Sequence, residues 1–349
     1  MSGRLINSFK TVMALSLALG SMAGCASIDA PSKSAGSTES TKTSATTTSS
    51  TSDSPIQKCD SQSPGPYKTV TVNGAEMRQG RYQVGKPGGK LVRSIVASNP
   101  ATFNYWAAAD TSSREMASLM YAGLLDIDPY TGEVTPALAE SFTVDPDGLT
   151  YTTKLRKGLK WSDGKPITAE DVAYTWNTII KGGYGNSSLR DVTTVEGKSP
   201  VVTVVDELTN KFVTPVPFAP FVRVMGLPIA PKHIVEPVIN KKDGRKLFSN
   251  LWTTESKPES FVTSGMFTLE SYVPSQRIVF KRASNYYTVS PEGKPLPYLE
   301  RITYLIVPEV NTNLLKFKGK EIDITPVRCR DAGDLVTMSK EGNFKLYDF

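Results

Sequence analysis

A mixed α/β fold is what this sequence predicts, and three observations predict it. Several short runs alternate apolar and polar residues with period two, the signature of half-buried strands. Other runs space their apolar residues at i, i+4, i+7 and i+8, which is helical spacing. The two kinds of run are interleaved along the chain, not segregated into halves. No internal repeat is found.

The elements follow in order. Lys90 to Ala97 reads as a strand, and Ser112 to Leu125 as a helix opened by Ser112 with Glu115 three residues later. Ser141 to Val144 and Leu149 to Leu155 read as an antiparallel hairpin. Between them, Asp145-Pro146-Asp147-Gly148 supplies a proline that fixes φ and a glycine that tolerates positive φ. Thr168 and Asp171 stand at the spacing of a capping box, in which each side chain satisfies the other's backbone amide. Val172, Trp176, Ile179 and Ile180 then form one apolar stripe, and Gly182-Gly183 stops the helix. Val201 to Val205, Lys211 to Thr214, Tyr298 to Val307 and Glu321 to Thr325 are further strands; Asn311 to Lys318 and Asp331 to Lys340 fit short helices.

The N-terminus reads as an export signal. Arg4 and Lys10 make a positive start, and the apolar run Thr11 to Gly20 is too short to span a bilayer, which takes about 20 apolar residues. Met22-Ala23-Gly24-Cys25 looks like a bacterial lipobox, with Met22 in place of the more usual Leu. Residues 1–24 are therefore expected to be a signal peptide and Cys25 to carry lipid; an ordinary signal peptide followed by a chance cysteine is the alternative. Each buried acyl methylene contributes about 0.8 kcal/mol, so two or more chains hold a protein on a membrane surface without a transmembrane helix. Residues 25–66 are expected to be a tether, because Pro31 to Ser54 holds no large apolar side chain and cannot offset its ordering entropy.

Composition excludes several function classes. The chain carries +6 at neutral pH, and losing Arg4 and Lys10 with the leader brings this to about +4. The basic residues are scattered, with local clusters at Lys241-Lys242 and Lys316 to Lys320, so nucleic acid is not an expected partner. His233 is the only histidine and no Cys-x-x-Cys occurs, so neither a metal site nor a cofactor is expected. No Gly-x-Ser-x-Gly elbow accompanies His233, which leaves no catalytic residue to assign. Cys59 and Cys329 either pair in an oxidising compartment or remain two separate thiols.

The segment Leu138 to Trp176 resembles the signature of the extracytoplasmic solute-binding proteins of peptide and nickel ABC importers, family 5. The resemblance runs from about residue 90 to 349 through Leu91 to Trp106, Tyr121 to Leu125, Ile229 to Ile234, Thr263 to Phe267, Arg277 to Tyr287, Leu296 to Glu300 and Gly319 to Asp323. It implies a mixed-sheet, class II periplasmic-binding-protein-like fold over residues 67–349. Its first lobe would be joined by an inserted subdomain at about 129–200, with a return to the first lobe at about 201–349. Family members are longer, so a second lobe is expected to be missing. The implied function is non-enzymatic capture of peptides or similar solutes outside the cytoplasmic membrane, for delivery to an ABC permease. A truncated or non-transporting lipid-anchored surface or sensor module is the alternative.

Ligand-binding candidates sit on loops after strands, where side chains escape the core. They are Asn99, Thr102, Asn104 and Trp106, then Tyr184, then Ser264 and Gly265 with their backbone amides. The competing reading buries Trp106 with Phe103 and makes Tyr184, Ser264 and Gly265 turn residues. Trp161 and Trp176 fall on regular hairpin and helix positions and are expected to pack.

Overall fold

A computed structural model of the protein describes residues 56–58, 66–81, 84–129, 131–342 and 344–348. The signal-peptide and Cys25 expectations, most of the tether and Cys59 fall outside the described residues. Contacts divide the chain into two compact units, Asp60–Pro326 and a smaller one made of Met1–Cys59 with Val327–Phe349.

Two four-stranded sheets organise the larger unit. The first runs Phe267–Val273, Arg277–Arg282, Arg301–Ile306, Lys90–Ile95; its first three strands are antiparallel neighbours, and the last two lie parallel. Period-two alternation explains it: Phe267, Leu269, Ile278, Phe280, Ile302, Tyr304, Ile306 and Ile95 are all buried. The second sheet, Ala139–Val144, Thr150–Leu155, Thr209–Val213, Val201–Val204, is antiparallel throughout. The hairpin expected at residues 141–155 is present in it. The pair Val201–Val204 and Thr209–Val213 completes this sheet. Thr209–Val213 pairs with the hairpin strand Thr150–Leu155 and carries Val201–Val204 on its other side, and Val202, Asn210 and Phe212 are buried; a periodicity pattern cannot assign such strands to one sheet over another.

A third sheet adds the hairpin Lys68–Val72 and Ala75–Gln79, parallel to the short strand Thr288–Val289. Its turn, Asn73-Gly74, has positive φ at both positions, the requirement of a tight two-residue hairpin.

Two elements differ from expectation. The helix predicted at 112–125 spans Thr111–Ser118, and Asp110 rather than Ser112 caps it, accepting the Ser113 amide at 2.7 Å. It ends early because the carbonyls of Leu119 and Met120 are taken by another segment: the Ser264 and Gly265 amides donate to Met120 and the Phe267 amide to Leu119. Glu321 to Thr325 is not a strand. It lies along Lys90–Ile95 through a single backbone bond, Asp323 amide to Val92 carbonyl, while the Asp323 carboxylate accepts the Val92 amide at 2.6 Å.

Helix Ala169–Tyr174 begins as expected, with the Asp171 carboxylate accepting the Thr168 amide at 2.9 Å, and continues as a π-helical turn, Thr175–Ile180. Trp161 and Trp176 are buried, as their positions predict. An aromatic chain fixes the core, from Tyr272 through Phe103, Phe261, Trp252 and Tyr121 to Trp106, with centroid separations of 5.0–6.4 Å along it. Each such pair contributes about 0.5–1.5 kcal/mol beyond its burial.

In the smaller unit Ile56–Lys58 pairs in parallel with Leu346–Asp348, and helix Ala332–Ser339 buries Leu335. Cys329 is disulfide-bonded; its partner lies outside the described residues.

Candidate functional site

Parallel strands place all their carboxyl ends at one edge of a sheet, and that edge is where open α/β sheets take ligands. Here the parallel pair is Lys90–Ile95 with Arg301–Ile306. The turn between Phe267–Val273 and Arg277–Arg282 lies at the same edge, since Arg277 is in register with Leu305. Three segments therefore converge on one crest: residues 96–99, 274–276 and 307–309. Backbone bonds hold them, Val307 amide to Ile95 carbonyl at 3.0 Å and Ile306 amide to Gln276 carbonyl at 2.9 Å.

The crest is polar and open. Ser98, Ser275, Gln276 and Glu309 are exposed and Asn99 is half-buried. Asn99 donates through Nδ2 to Ser275 Oγ at 3.1 Å and accepts the Ser275 amide at 2.7 Å. Ser275 holds φ +59, so this bond fixes a left-handed turn that a non-glycine residue seldom adopts unaided. The crest offers hydroxyl, amide and carboxylate groups for hydrogen bonding.

His233 stands elsewhere, at the start of helix Lys232–Ile239. Its Nε2 lies 2.7 Å from Asp163 Oδ2, tying this helix to the turn after Trp161. Burial raises the Asp163 carboxyl, but the hydrogen bond from His233 and the Lys165 amide outweigh it and hold the group below its usual value. Beside it, Asp171 accepts the Lys232 and Thr168 amides, both at 2.9 Å, and Trp161 Nε1 at 3.3 Å. Burial is the largest influence on Asp171 and leaves its pKa raised despite these donors. Among the described residues, no group of three or more His, Cys, Asp or Glu is arranged to hold a metal ion, and no helix is long and apolar enough to cross a membrane.

Residues 133–342 match the family model described as bacterial extracellular solute-binding proteins, family 5 middle. The chain belongs to this family. A probable ABC transporter-binding protein of Deinococcus radiodurans is 34% identical over 269 residues, 74% of this chain and 44% of that protein. The oligopeptide-binding protein AppA of Bacillus subtilis is 28% identical over 76% of this chain and 46% of its own length. This family 5 chain thus spans less than half the length of the curated relatives it matches. Among solved structures, the ABC transporter substrate-binding protein CtaP of Listeria monocytogenes superposes with a TM-score of 0.58 at 28% identity, covering 73% of this chain and 47% of that one. AppA of Bacillus subtilis in complex with a nonapeptide aligns at 0.60 and 24% identity, over 74% and 47%. The mixed α/β, periplasmic-binding-protein-like architecture is that of these neighbours.

Of the residues picked from sequence, only Asn99 stands on the crest. Thr102 is buried, with Oγ1 donating to the Trp252 carbonyl at 3.3 Å. Asn104 is fully buried: Nδ2 donates to the Phe248 carbonyl at 2.8 Å, and Oδ1 accepts the amides of Trp106 and Ala107. Trp106 is buried with its Nε1 on the Pro228 carbonyl at 3.2 Å. Tyr184 packs edge-on against Phe248 at 5.9 Å and under the Arg245 guanidinium at 4.4 Å. The Ser264 and Gly265 amides both donate to Met120, so neither is left for a ligand. Gly265 is there for close approach: a Cβ would stand 2.4 Å from the Leu119 carbonyl oxygen. Sequence reasoning missed Ser98, Ser275, Gln276 and Glu309. The Pro274-Ser275-Gln276 turn between two alternating runs was the available signal.

Proposed function

We propose that this chain acts in a substrate-binding lipoprotein of an ABC importer, capturing peptides or similar solutes outside the cytoplasmic membrane and delivering them to the membrane permease. The observation that carries the reading is the crest. In a member of a solute-binding family, exposed Ser98, Ser275, Gln276 and Glu309 gather around Asn99 beyond the carboxyl ends of a parallel pair. Hydroxyl and amide groups, with the Glu309 carboxylate beside them, suit the main-chain amides of an extended peptide, whose recognition leaves side-chain choice broad. The relatives named for oligopeptide binding support a peptide as cargo. Asn99 is the direct contact in this reading, while Thr102, Asn104, Trp106, Tyr184, Ser264 and Gly265 hold their own segments together within the fold.

Capture breaks no bond. The one histidine is engaged with Asp163, bracing a turn against a helix, which is scaffold work. Around the binding fold, residues 1–24 serve as leader, Cys25 carries lipid, and the segment to residue 66 is the tether that lets the domain reach its permease. In this reading Cys59 is the disulfide partner of Cys329.

Calorimetric titration of the full chain with a mixed library of short peptides, then a nickel chelate and an oligosaccharide, tests the proposal. Heat with a rise in unfolding temperature is expected for at least one class, since a ligand that binds only the folded state stabilises it by mass action. Silence from all three would leave the alternative, a lipid-anchored surface or sensor module without cargo.

A further inference from the structure

A cavity of about 570 Å³ that shares no residue with the crest is lined by Lys181, Arg190, Asp191, Thr194, Lys198 and Ser199, among others. Its three cations come from three separate elements. Lys181 follows the π-helical turn Thr175–Ile180, Arg190 belongs to helix Ser188–Thr193, and Lys198 closes the hairpin that begins at Val195.

The walls are held in place. Val195 and Lys198 exchange backbone bonds of 2.9 and 3.0 Å around Glu196 and Gly197, which have φ of +50 and +74. Arg190 lies between Asp191, whose Oδ1 accepts from Nε and Nη2 at 3.1 Å, and the backbone of Gly183, where a Cβ would come within 3.1 Å of Nη1. The Thr194 hydroxyl donates to the Arg190 carbonyl at 2.8 Å and stands 3.1 Å from the Ser199 hydroxyl.

Charge is not balanced here. Asp191 answers Arg190, but among the described residues neither Lys181 nor Lys198 has an acidic partner within ion-pair distance. Two lysines without acidic partners on the lining of one concavity leave it with a net positive potential. A tetrahedral dianion matches two positive charges, and a phosphoryl group carries close to two negative charges at neutral pH. A single carboxylate answers only one of the two.

We propose that this cavity is a phosphoryl-binding site, with Lys181 and Lys198 as the direct donors and the Arg190–Asp191 pair as a fixed wall. Two sources share this chemistry, a free phosphate compound and the headgroup of an anionic lipid.

The test titrates the full chain with inorganic phosphate, and separately measures co-sedimentation with phosphatidylglycerol and with phosphatidylcholine vesicles. Comparison is with Lys181→Gln/Lys198→Gln and with a control, Lys241→Gln/Lys242→Gln. Both target lysines are exposed, so the unfolding temperature of the double variant checks that the fold is kept. The expected result is phosphate binding, or a preference for phosphatidylglycerol over phosphatidylcholine, that weakens about tenfold per lysine removed and stays unchanged in the control. Phosphate heat alone assigns a free ligand; vesicle preference alone assigns a lipid headgroup. No phosphate heat together with no vesicle preference overturns the proposal, as does equal loss in the control variant.

Discussion

Asn99 and Ser275, 176 positions apart, hold each other by a reciprocal pair of hydrogen bonds, amide nitrogen to hydroxyl at 3.1 Å and backbone amide to side-chain oxygen at 2.7 Å. The loop after the strand Lys90–Ile95 is thereby latched to the turn before Arg277–Arg282. Removing the latch with Asn99→Ala is expected to cost about 1–2 kcal/mol of stability, the worth of two partly exposed hydrogen bonds. The same change is expected to weaken solute binding about tenfold by loosening the crest. Urea unfolding and calorimetry on one preparation check both; unchanged affinity for a solute bound by the parent chain would remove Asn99 from the site.

Asp171 is a buried carboxylate serving three donors, the amides of Thr168 and Lys232 and the indole of Trp161. Asp171→Ala strips a helix cap and leaves buried donors without acceptors, so a loss of about 3 kcal/mol is expected. Asn at this position keeps one acceptor oxygen and is expected to cost less. The urea midpoints of the two variants rank them.

The pairing of Asp163 with His233 makes a stability contribution that depends on pH. The Asp163 carboxyl is held below its usual value of 3.8 in the folded state, so its contribution is fully present above that value and is lost as pH falls through the depressed one. The stability gap between the parent chain and Asp163→Asn is therefore expected to be widest near neutral pH and to close in acid. Denaturant titrations stepped from pH 7 to pH 3 measure it; a gap that widens in acid would reverse the sign.

Gly265 touches the chain at Leu119 and Met120 so closely that any side chain collides with backbone, which cannot swing aside. Gly265→Ala is expected to lose about 2–3 kcal/mol through forced separation of these segments. A thermal midpoint equal to that of the parent would contradict the close approach.

Asn177 blunts an exposed strand. Its Nδ2 donates to the Val202 carbonyl at 2.7 Å and its Oδ1 accepts the Val202 amide at 3.1 Å, occupying the free edge of Val201–Val204. Val201 and Val205 beside it are 50% and 60% exposed, so an unguarded edge here is a template for pairing between chains. Asn177→Ala is expected to scatter light at concentrations where the parent chain does not.

Local chemistry was legible in the sequence wherever a few adjacent residues suffice. The turn at Asp145 to Gly148, the Thr168 and Asp171 helix start and the buried stripe through Trp176 all appear in the structure near their expected positions, because turn geometry, capping and helical period act within a few residues. Family membership was legible too, since it rests on the order of such local signals. Tertiary structure alone decided which strands share a sheet, where the helix at Thr111–Ser118 stops and which loop side chains remain free. Val201–Val204 joins the hairpin's sheet through Thr209–Val213, Leu119 and Met120 surrender their carbonyls to residues 264–267, and Asn104 and Trp106 disappear beneath the chain at Phe248 and Pro228 while Asn99 stays half-open. Each of these outcomes depends on groups brought together from distant positions, and burial is a property of that gathering that no window of neighbouring residues contains.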